Sequence, residues 1–321
     1  MRLIMFGTGP FAVPSFEALI QSPHEILALF TRPITDSGKR RKTAENPTRD
    51  VAESAGLPVF DPMNVNDHES VEQLLKLDAD LFVVCDYGQI LSRDCLASSK
   101  LGGINLHGSL LPKYRGAAPI NWAIFQGDPV TGITIIHMTS KLDGGPCLIK
   151  AETEIGSQET AEQIEPRLAK LGVTPVLRSI DVLENWDGKS PIGQIQDPAL
   201  ATRAPRLKKS DGKINWSRSA VEIVNQIRAF QPWPGTFTSW DNGKLKQPLR
   251  IIVHRATALP EQSGVATVAP GSIVVSDGQA LVIQTGSGQI SIDTVQPAGK
   301  RLMPIGDFLR GRAPAIGDVF Q

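Results

Sequence analysis

The sequence predicts a doubly wound, Rossmann-like α/β domain followed by a small β-barrel of the oligonucleotide-binding kind. Three observations carry this. Short apolar runs alternate with helical stretches up to Asp187, a proline-bearing break follows, and turn-separated strand signals fill the remainder.

Leu3–Phe6, Ile26–Phe30 and Leu81–Cys85 are apolar runs of the kind that fill a sheet covered on both faces. Helical stretches around Phe11–Gln21, Thr48–Ala55 and Ser70–Lys76 alternate with them. Ile104–Leu106, Gly132–Met138 and Cys147–Thr153 extend the sheet. Thr160–Asp187 reads as one long helix whose Ile164, Leu168, Leu171, Val176, Ile180 and Leu183 share a face, with bends expected at Pro166 and Pro175. Gly188–Arg206 has three prolines and little periodicity, so it reads as a linker. A helix near Ser219–Ala229 then precedes short strands at Ile251–His254, Gly271–Val275, Leu281–Thr285 and Gln289–Val295. The expected division is thus residues 1–187, a linker over 188–206, and a basic barrel over 207–321.

No apolar stretch approaches membrane-spanning length, and the opening residues lack a charged lead followed by a long apolar run. A cytoplasmic monomer without membrane contact is expected. Cys85, Cys95 and Cys147 are odd in number and show no CxxC spacing, which argues against a disulfide framework or zinc knuckle and for buried, reduced thiols. The net charge of zero hides an asymmetry. Through Pro205 there are 19 Lys/Arg against 25 Asp/Glu, and from Arg206 onward 14 against 8. A basic rear half points to a polyanionic partner.

Gly7-Thr-Gly-Pro-Phe-Ala12 follows a strand and opens a helix, which is the context of the dinucleotide fingerprint. The acid that should bind the ribose at the end of the second strand is missing, for that strand ends Phe30-Thr-Arg-Pro33. A tight strand-to-helix turn that binds no cofactor is the preferred reading. Arg32 leaves an NADP-dependent oxidoreductase open.

The stretch that carries chemistry is Gly102-Gly-Ile-Asn-Leu-His-Gly-Ser-Leu-Leu-Pro-Lys-Tyr-Arg-Gly116. Asn105 and His107 stand two apart near the end of a strand, so both project from one face. Leu142-Asp-Gly-Gly145 puts a carboxylate on a glycine-rich loop after the next strand. An amide N–H, an imidazole and a carboxylate suit acyl transfer to an amine. The amide stabilises charge growing on oxygen, the imidazole moves protons, and the carboxylate orients the imidazole. By itself Asn-x-His is a weak signal, and a structural core or turn histidine is the preferred reading of it. Metal binding by His107, His137 and Asp143 lacks an HxxxH or HExxH pair, so no metal is expected.

These motifs are similar to the signature of the folate-dependent formyltransferases, and the likeness runs the length of the chain. Gly7–Ala12, Asp86-Tyr-Gly-Gln-Ile-Leu91, Ala117-Ala-Pro-Ile120, Ile214-Asn-Trp-Ser217, Ile227-Arg-Ala-Phe-Gln-Pro-Trp-Pro234 and Gln296-Pro-Ala-Gly-Lys300 follow in order. The rear motifs resemble the branch that acts on charged initiator tRNA. The resemblance implies 10-formyltetrahydrofolate as formyl donor and the methionyl α-amino group of initiator tRNA as acceptor. It implies Asn105, His107 and Asp143 as the catalytic trio and Ser109, Leu110, Leu111 and Pro112 as the folate-binding turn. Two departures stand out. Asp86 replaces a usual small residue, and Lys141-Leu-Asp-Gly-Gly145 replaces the usual Gly-Leu-Asp-Thr-Gly.

Gly38-Lys-Arg-Arg-Lys42 lies in a long connection after the second strand. A solvated loop is the plain reading. The resemblance implies that Lys39, Arg40, Arg41 and Lys42 grip the acceptor end, with one Arg able to read the first base pair. Lys208, Lys209, Lys213, Lys244 and Lys246 are candidates for backbone contacts from the barrel. Phe230 and Trp233 are expected to pack between the domains rather than to stack on bases. A nucleotide-sugar N-formyltransferase, an NADP-dependent oxidoreductase and a non-catalytic RNA-binding module remain as competing readings.

Overall fold

The computed structural model describes residues 1–33, 46–241, 247–260, 268–312 and 314–321. The chain forms two compact units. One comprises Met1–Pro119, Val130–Glu154 and Gln163–Pro205; the other comprises Ile120–Pro129, Ile155–Glu162 and Arg206–Gln321.

The front part of the chain contributes β1 (Arg2–Gly7), α1 (Val13–Ile20), β2 (Glu25–Phe30), α2 (Pro47–Ser54), β3 (Val59–Phe60), α3 (His68–Leu77), β4 (Leu81–Cys85), α4 (Arg93–Leu96) and β5 (Gly103–His107). There follow α5 (Pro119–Gln126), β6 (Val130–His137), β7 (Cys147–Glu154) and α6 (Ala161–Glu184). The seven strands of the first unit lie in the order β3-β2-β1-β4-β5-β6-β7. All five strands up to β5 run parallel, as the helix–strand alternation requires. The central strands β1 and β4 are buried because they are apolar on both faces. Phe6, Phe30 and Phe82 are wholly buried, and Phe6 lies 5.1 Å from the Phe30 ring and 4.9 Å from that of Phe82. α2 and α3 begin where polar caps meet them. Asn46 accepts from the Arg49 amide and Asp67 from the Ser70 amide, satisfying donors that a helix start leaves free.

One feature of this sheet departs from expectation. β6 is antiparallel to β5, and β7 is antiparallel to β6, so the carboxyl end of β6 lies beside the start of β5: His137 pairs with Ile104, and Thr134 with His107. α6 is one long helix that contains both Pro166 and Pro175, as its apolar spacing predicts. The stretch 188–206 is tied down by backbone pairing. Gln194 pairs with Cys147, Arg203 pairs with Arg115, and Ala204 exchanges backbone hydrogen bonds with Arg115 and Ala118.

The second unit carries α7 (Ala220–Ala229), β8 (Thr236–Trp240), β9 (Leu249–Leu259), β10 (Ile273–Ser276), β11 (Leu281–Gln284), β12 (Gln289–Pro297), β13 (Met303–Pro304) and α8 (Ile305–Gly311). Its antiparallel sheet is ordered β10-β11-β12-β9-β8, with β13 on β12. The terminal segment bridges both edge strands, Val319 to Ser272 and Phe320 to Trp240, which removes the exposed edges as a barrel does. Trp240, Ile251, Val253, Ile290, Ile292, Val295 and Phe320 fill the interior. Ser219 and Glu222 form a capping box at the start of α7. Phe230 is wholly buried and stacks on Phe125 at 5.2 Å within this unit. Trp233 corrects an expectation, being 55% exposed rather than packed. It stands between Pro232 and Pro234 in the turn before β8.

Candidate active site

β5 ends in the residues that matter. Asn105 and His107 share one face of it, as a two-residue step requires, and His107 is 5% exposed. Because β6 runs antiparallel, the loop after it begins at the opposite end of β5 and doubles back. It delivers Asp143 with its Oδ1 3.4 Å from the Asn105 Nδ2 and 3.8 Å from the His107 Nδ1. The Asp143 side chain is 9% accessible, and its Oδ2 accepts from the Gly116 amide at 2.8 Å. Asp143 adopts φ 49°, a left-handed conformation that Asp tolerates better than most residues. The loop hugs the sheet so closely that a Cβ on Gly145 would stand 1.8 Å from the His137 carbonyl oxygen.

The Tyr114–Gly116 turn, unforeseen in the sequence beyond its place in the motif, completes the site. The Tyr114 carbonyl lies 2.9 Å from His107 Nε2, and the Gly116 amide holds Asp143. A local reading of residue types cannot find backbone groups of this sort; only folding brings them in.

Downstream of His107, Ser109 is wholly buried and its hydroxyl donates to the Lys113 carbonyl at 2.7 Å, so it is not poised as a nucleophile. The Leu111 amide donates to Thr134 Oγ1, which donates in turn to the Ser109 carbonyl, and Lys150 Nζ donates to the Leu111 carbonyl. Leu111 is 1% exposed, whereas Leu110 and Pro112 keep partial exposure. The turn is therefore rigid, with Leu110 and Pro112 supplying what apolar surface it offers.

The glycine-rich turn after β1 is explained by packing. A Cβ on Gly7 would stand 2.6 Å from the Phe16 ring, and one on Gly9 would stand 1.7 Å from the Asp86 Oδ2. Asp86 as a residue is exposed, but its carboxyl end is turned in against Gly9. That burial pushes the carboxyl up to about 6, with Glu165 adding to the rise and Arg32 opposing it. A carboxylate beside the turn would repel the diphosphate of a dinucleotide, which speaks against the NADP reading.

All three cysteines are buried and free. Burial raises the Cys147 thiol, opposed by Lys150 and Arg115. Among the described residues no group of three His, Cys, Asp or Glu side chains stands together as metal ligands would. No helix among them is long and apolar enough to cross a membrane. Lys39, Arg40, Arg41 and Lys42 lie outside the described residues, as do Lys244 and Lys246. Lys208, Lys209 and Lys213 are exposed on the second unit.

The chain is similar to known proteins along nearly its whole length. Residues 1–180 match the Formyl transferase family, and residues 206–313 match the Formyl transferase C-terminal domain. A methionyl-tRNA formyltransferase of Rhodopirellula baltica is 43% identical over 99% of this chain and 96% of its own length. That of Alkaliphilus oremlandii is 39% identical over 99% of both chains. An N-formyltransferase from Helicobacter canadensis, solved with folinic acid and dTDP-3-aminofucose, shares the fold at a TM-score of 0.66. It is 18% identical, and the match covers 90% of this chain and 97% of that one. The fold and both family matches define a formyl transferase. The chain belongs to the methionyl-tRNA formyltransferase family.

Proposed function

We propose that this enzyme transfers the formyl group of 10-formyltetrahydrofolate to the α-amino group of methionyl initiator tRNA, as a cytoplasmic monomer that supports translation initiation. The observation that carries the chemistry is the meeting of an amide, an imidazole and a carboxylate at the end of β5. Likeness over 99% of the chain to enzymes named for methionyl-tRNA supports the acceptor.

The folate presents a formyl carbon bonded to nitrogen. The turn Ser109–Pro112 is the proposed wall for it, with Leu110 and Pro112 as contact surface and Ser109 and Leu111 as its buried support. The Asn105 amide faces the oxygen that gains negative charge as the amine attacks. The carbonyl of Tyr114 can only accept, so His107 carries a proton on Nε2 and leaves Nδ1 free to take one from the attacking amine. Asp143 stabilises the charge that then develops on the ring. As the new C–N bond forms, the bond to the folate nitrogen breaks, and that nitrogen gains the proton. No covalent enzyme intermediate is needed. Lys39, Arg40, Arg41 and Lys42 position the acceptor stem through phosphates, and the exposed lysines of the second unit hold the arm beyond it.

The test is transfer of labelled formyl from 10-formyltetrahydrofolate to charged initiator tRNA, with a nucleotide-linked amino sugar and NADPH oxidation assayed alongside. Formylation of the tRNA alone is expected. Transfer to the amino sugar and not to tRNA would replace the acceptor, and NADPH turnover without formyl transfer would replace the chemistry.

A further inference from the structure

Gln196 lies in the stretch that the sequence presents as a linker, yet it is 7% exposed and sits behind the active site. Its Nε2 donates to the carbonyl of Asp143 at 2.8 Å and to that of Gly145 at 2.7 Å. Its Oε1 accepts from Arg115 Nε at 3.1 Å and Nη2 at 2.7 Å. An amide has two N–H donors and two acceptor sites, and all four are used. The orientation is also unique. Carbonyls only accept and a guanidinium only donates, so a flipped amide would lose every bond.

Those four bonds join the two halves of the site. On one side is the loop that carries Asp143. On the other is Arg115, whose neighbours Tyr114 and Gly116 hold His107 Nε2 and Asp143 Oδ2 respectively. The same linker stretch supports that turn again, since Thr202 accepts from the Arg115 amide with its carbonyl and from the Tyr114 amide with its hydroxyl.

We infer that Gln196 is a positioning residue for the transfer: it clamps the Asp143 loop to the Tyr114–Gly116 turn and so fixes where the Asp143 carboxylate stands relative to Asn105 and His107. The inference rests on the proposed formyl transfer. Gln196 touches neither substrate nor reacting atoms, and its effect passes through Asp143. Its loss should therefore appear in kcat and leave the KM values for folate and tRNA near those of the unaltered enzyme.

Two substitutions separate the halves of the clamp. Gln196→Glu keeps an acceptor for Arg115 but turns oxygen lone pairs toward the two loop carbonyls, while Gln196→Leu removes both sets of bonds. A displacement of about 1 Å at a reacting group costs roughly a hundredfold in rate, so each variant should lose kcat on that scale. The pH profile of kcat should move as well, because it reports the coupling between His107 and Asp143. The deciding measurement is the same pair of substitutions in an Asp143→Ala background. With the carboxylate gone there is nothing left to position, and a further loss of no more than about twofold is expected, as for residues acting as one unit. Unchanged kcat in the single variants would overturn the inference. So would an equal further loss in the Asp143→Ala background, which would mark Gln196 as general support. If Gln196→Leu fails to fold by thermal melting, Gln196→Glu decides alone, since its carboxylate still pairs with Arg115. Failure of the unaltered enzyme to formylate any amine would refute the proposed function instead, a separable result.

Discussion

The Nε2 of His107 stands 2.9 Å from the carbonyl oxygen of Tyr114, and because a carbonyl only accepts, that contact places the ring proton on Nε2. The proton on Nε2 is committed to the backbone, so Nδ1 is the basic atom, 3.8 Å from Asp143 Oδ1. That gap is longer than a direct hydrogen bond. Asp143 thus acts on the ring as a nearby charge, while its own place is fixed by the Gly116 amide and the Asn105 amide. In the proposed transfer, such a ring accepts the proton of the amine without being locked to its carboxylate partner.

Asn105→Ala should lower the rate of formyl transfer by about 10²–10³, the usual loss when one donor to a developing oxyanion is removed. His107→Ala and Asp143→Ala should each lower turnover steeply too. Single-turnover transfer and thermal melting, measured together, test this. A folded variant that turns over at a near-normal rate would remove its residue from the mechanism.

Gly145→Ala should damage the site from behind. The added methyl carbon would meet the His137 carbonyl at 1.8 Å, and the backbone at Pro146 is pinned to the His137 amide at 3.0 Å, so the loop carrying Asp143 must shift. Overpacking of this kind costs about 1–3 kcal/mol. Gly311→Ala is the control, since a Cβ there meets nothing within 4 Å. Melting temperature and kcat should both fall in the first and hold in the second; equal behaviour of the two would refute the packing argument.

What could be read beforehand follows from local rules. Asn105 and His107 share a face because strands alternate, and the parallel core follows from apolar runs buried on both sides. The reversal of β6 left no local trace, since strand direction is set by what each strand pairs with. α5 was missed because Ile120, Trp122, Ala123, Ile124 and Phe125 are apolar nearly all round and show no amphipathic period. β8 is too short, and too close to the prolines at 232 and 234, to stand out from the turn before it. Gln196 was invisible for a stronger reason. It is a polar residue in an aperiodic stretch, and its partners Asp143 and Arg115 lie 53 and 81 positions away.

Asp86 should leave a pH signature on stability. Its carboxyl is raised from 3.8 to about 6 by burial against the Gly9 turn. Below pH 4 the folded and unfolded chains both hold the proton. Between pH 4 and 6 only the folded chain does, so this residue's contribution to stability falls as pH rises through that window and is lowest above it. Asp86→Asn removes the charge that burial disfavours. Its melting temperature should exceed that of the unaltered protein more at pH 8 than at pH 4. An equal difference at both pH values would show that Asp86 titrates normally.

Substitution of the basic segment 39–42 offers a test that separates tRNA recognition from folate chemistry. Lys39, Arg40, Arg41 and Lys42 place four positive charges in one connection. If they meet phosphates, neutralising all four should raise the KM for charged tRNA and flatten its dependence on salt. Each lost duplex phosphate contact lowers the slope of log affinity against log salt by about 0.9. The KM for 10-formyltetrahydrofolate should barely change, because the turn Ser109–Pro112 is held by Thr134, Lys150 and its own backbone. An arginine that reads a base edge adds a second sign. Restoring the other three charges while leaving one Arg as Gln would then recover affinity but narrow discrimination between initiator and elongator tRNA, by about 1–3 kcal/mol per bidentate contact. A loop that is only solvated changes none of these quantities. Unaltered tRNA kinetics across a salt series would thus leave binding to the exposed lysines of the second unit, Lys208, Lys209 and Lys213 among them.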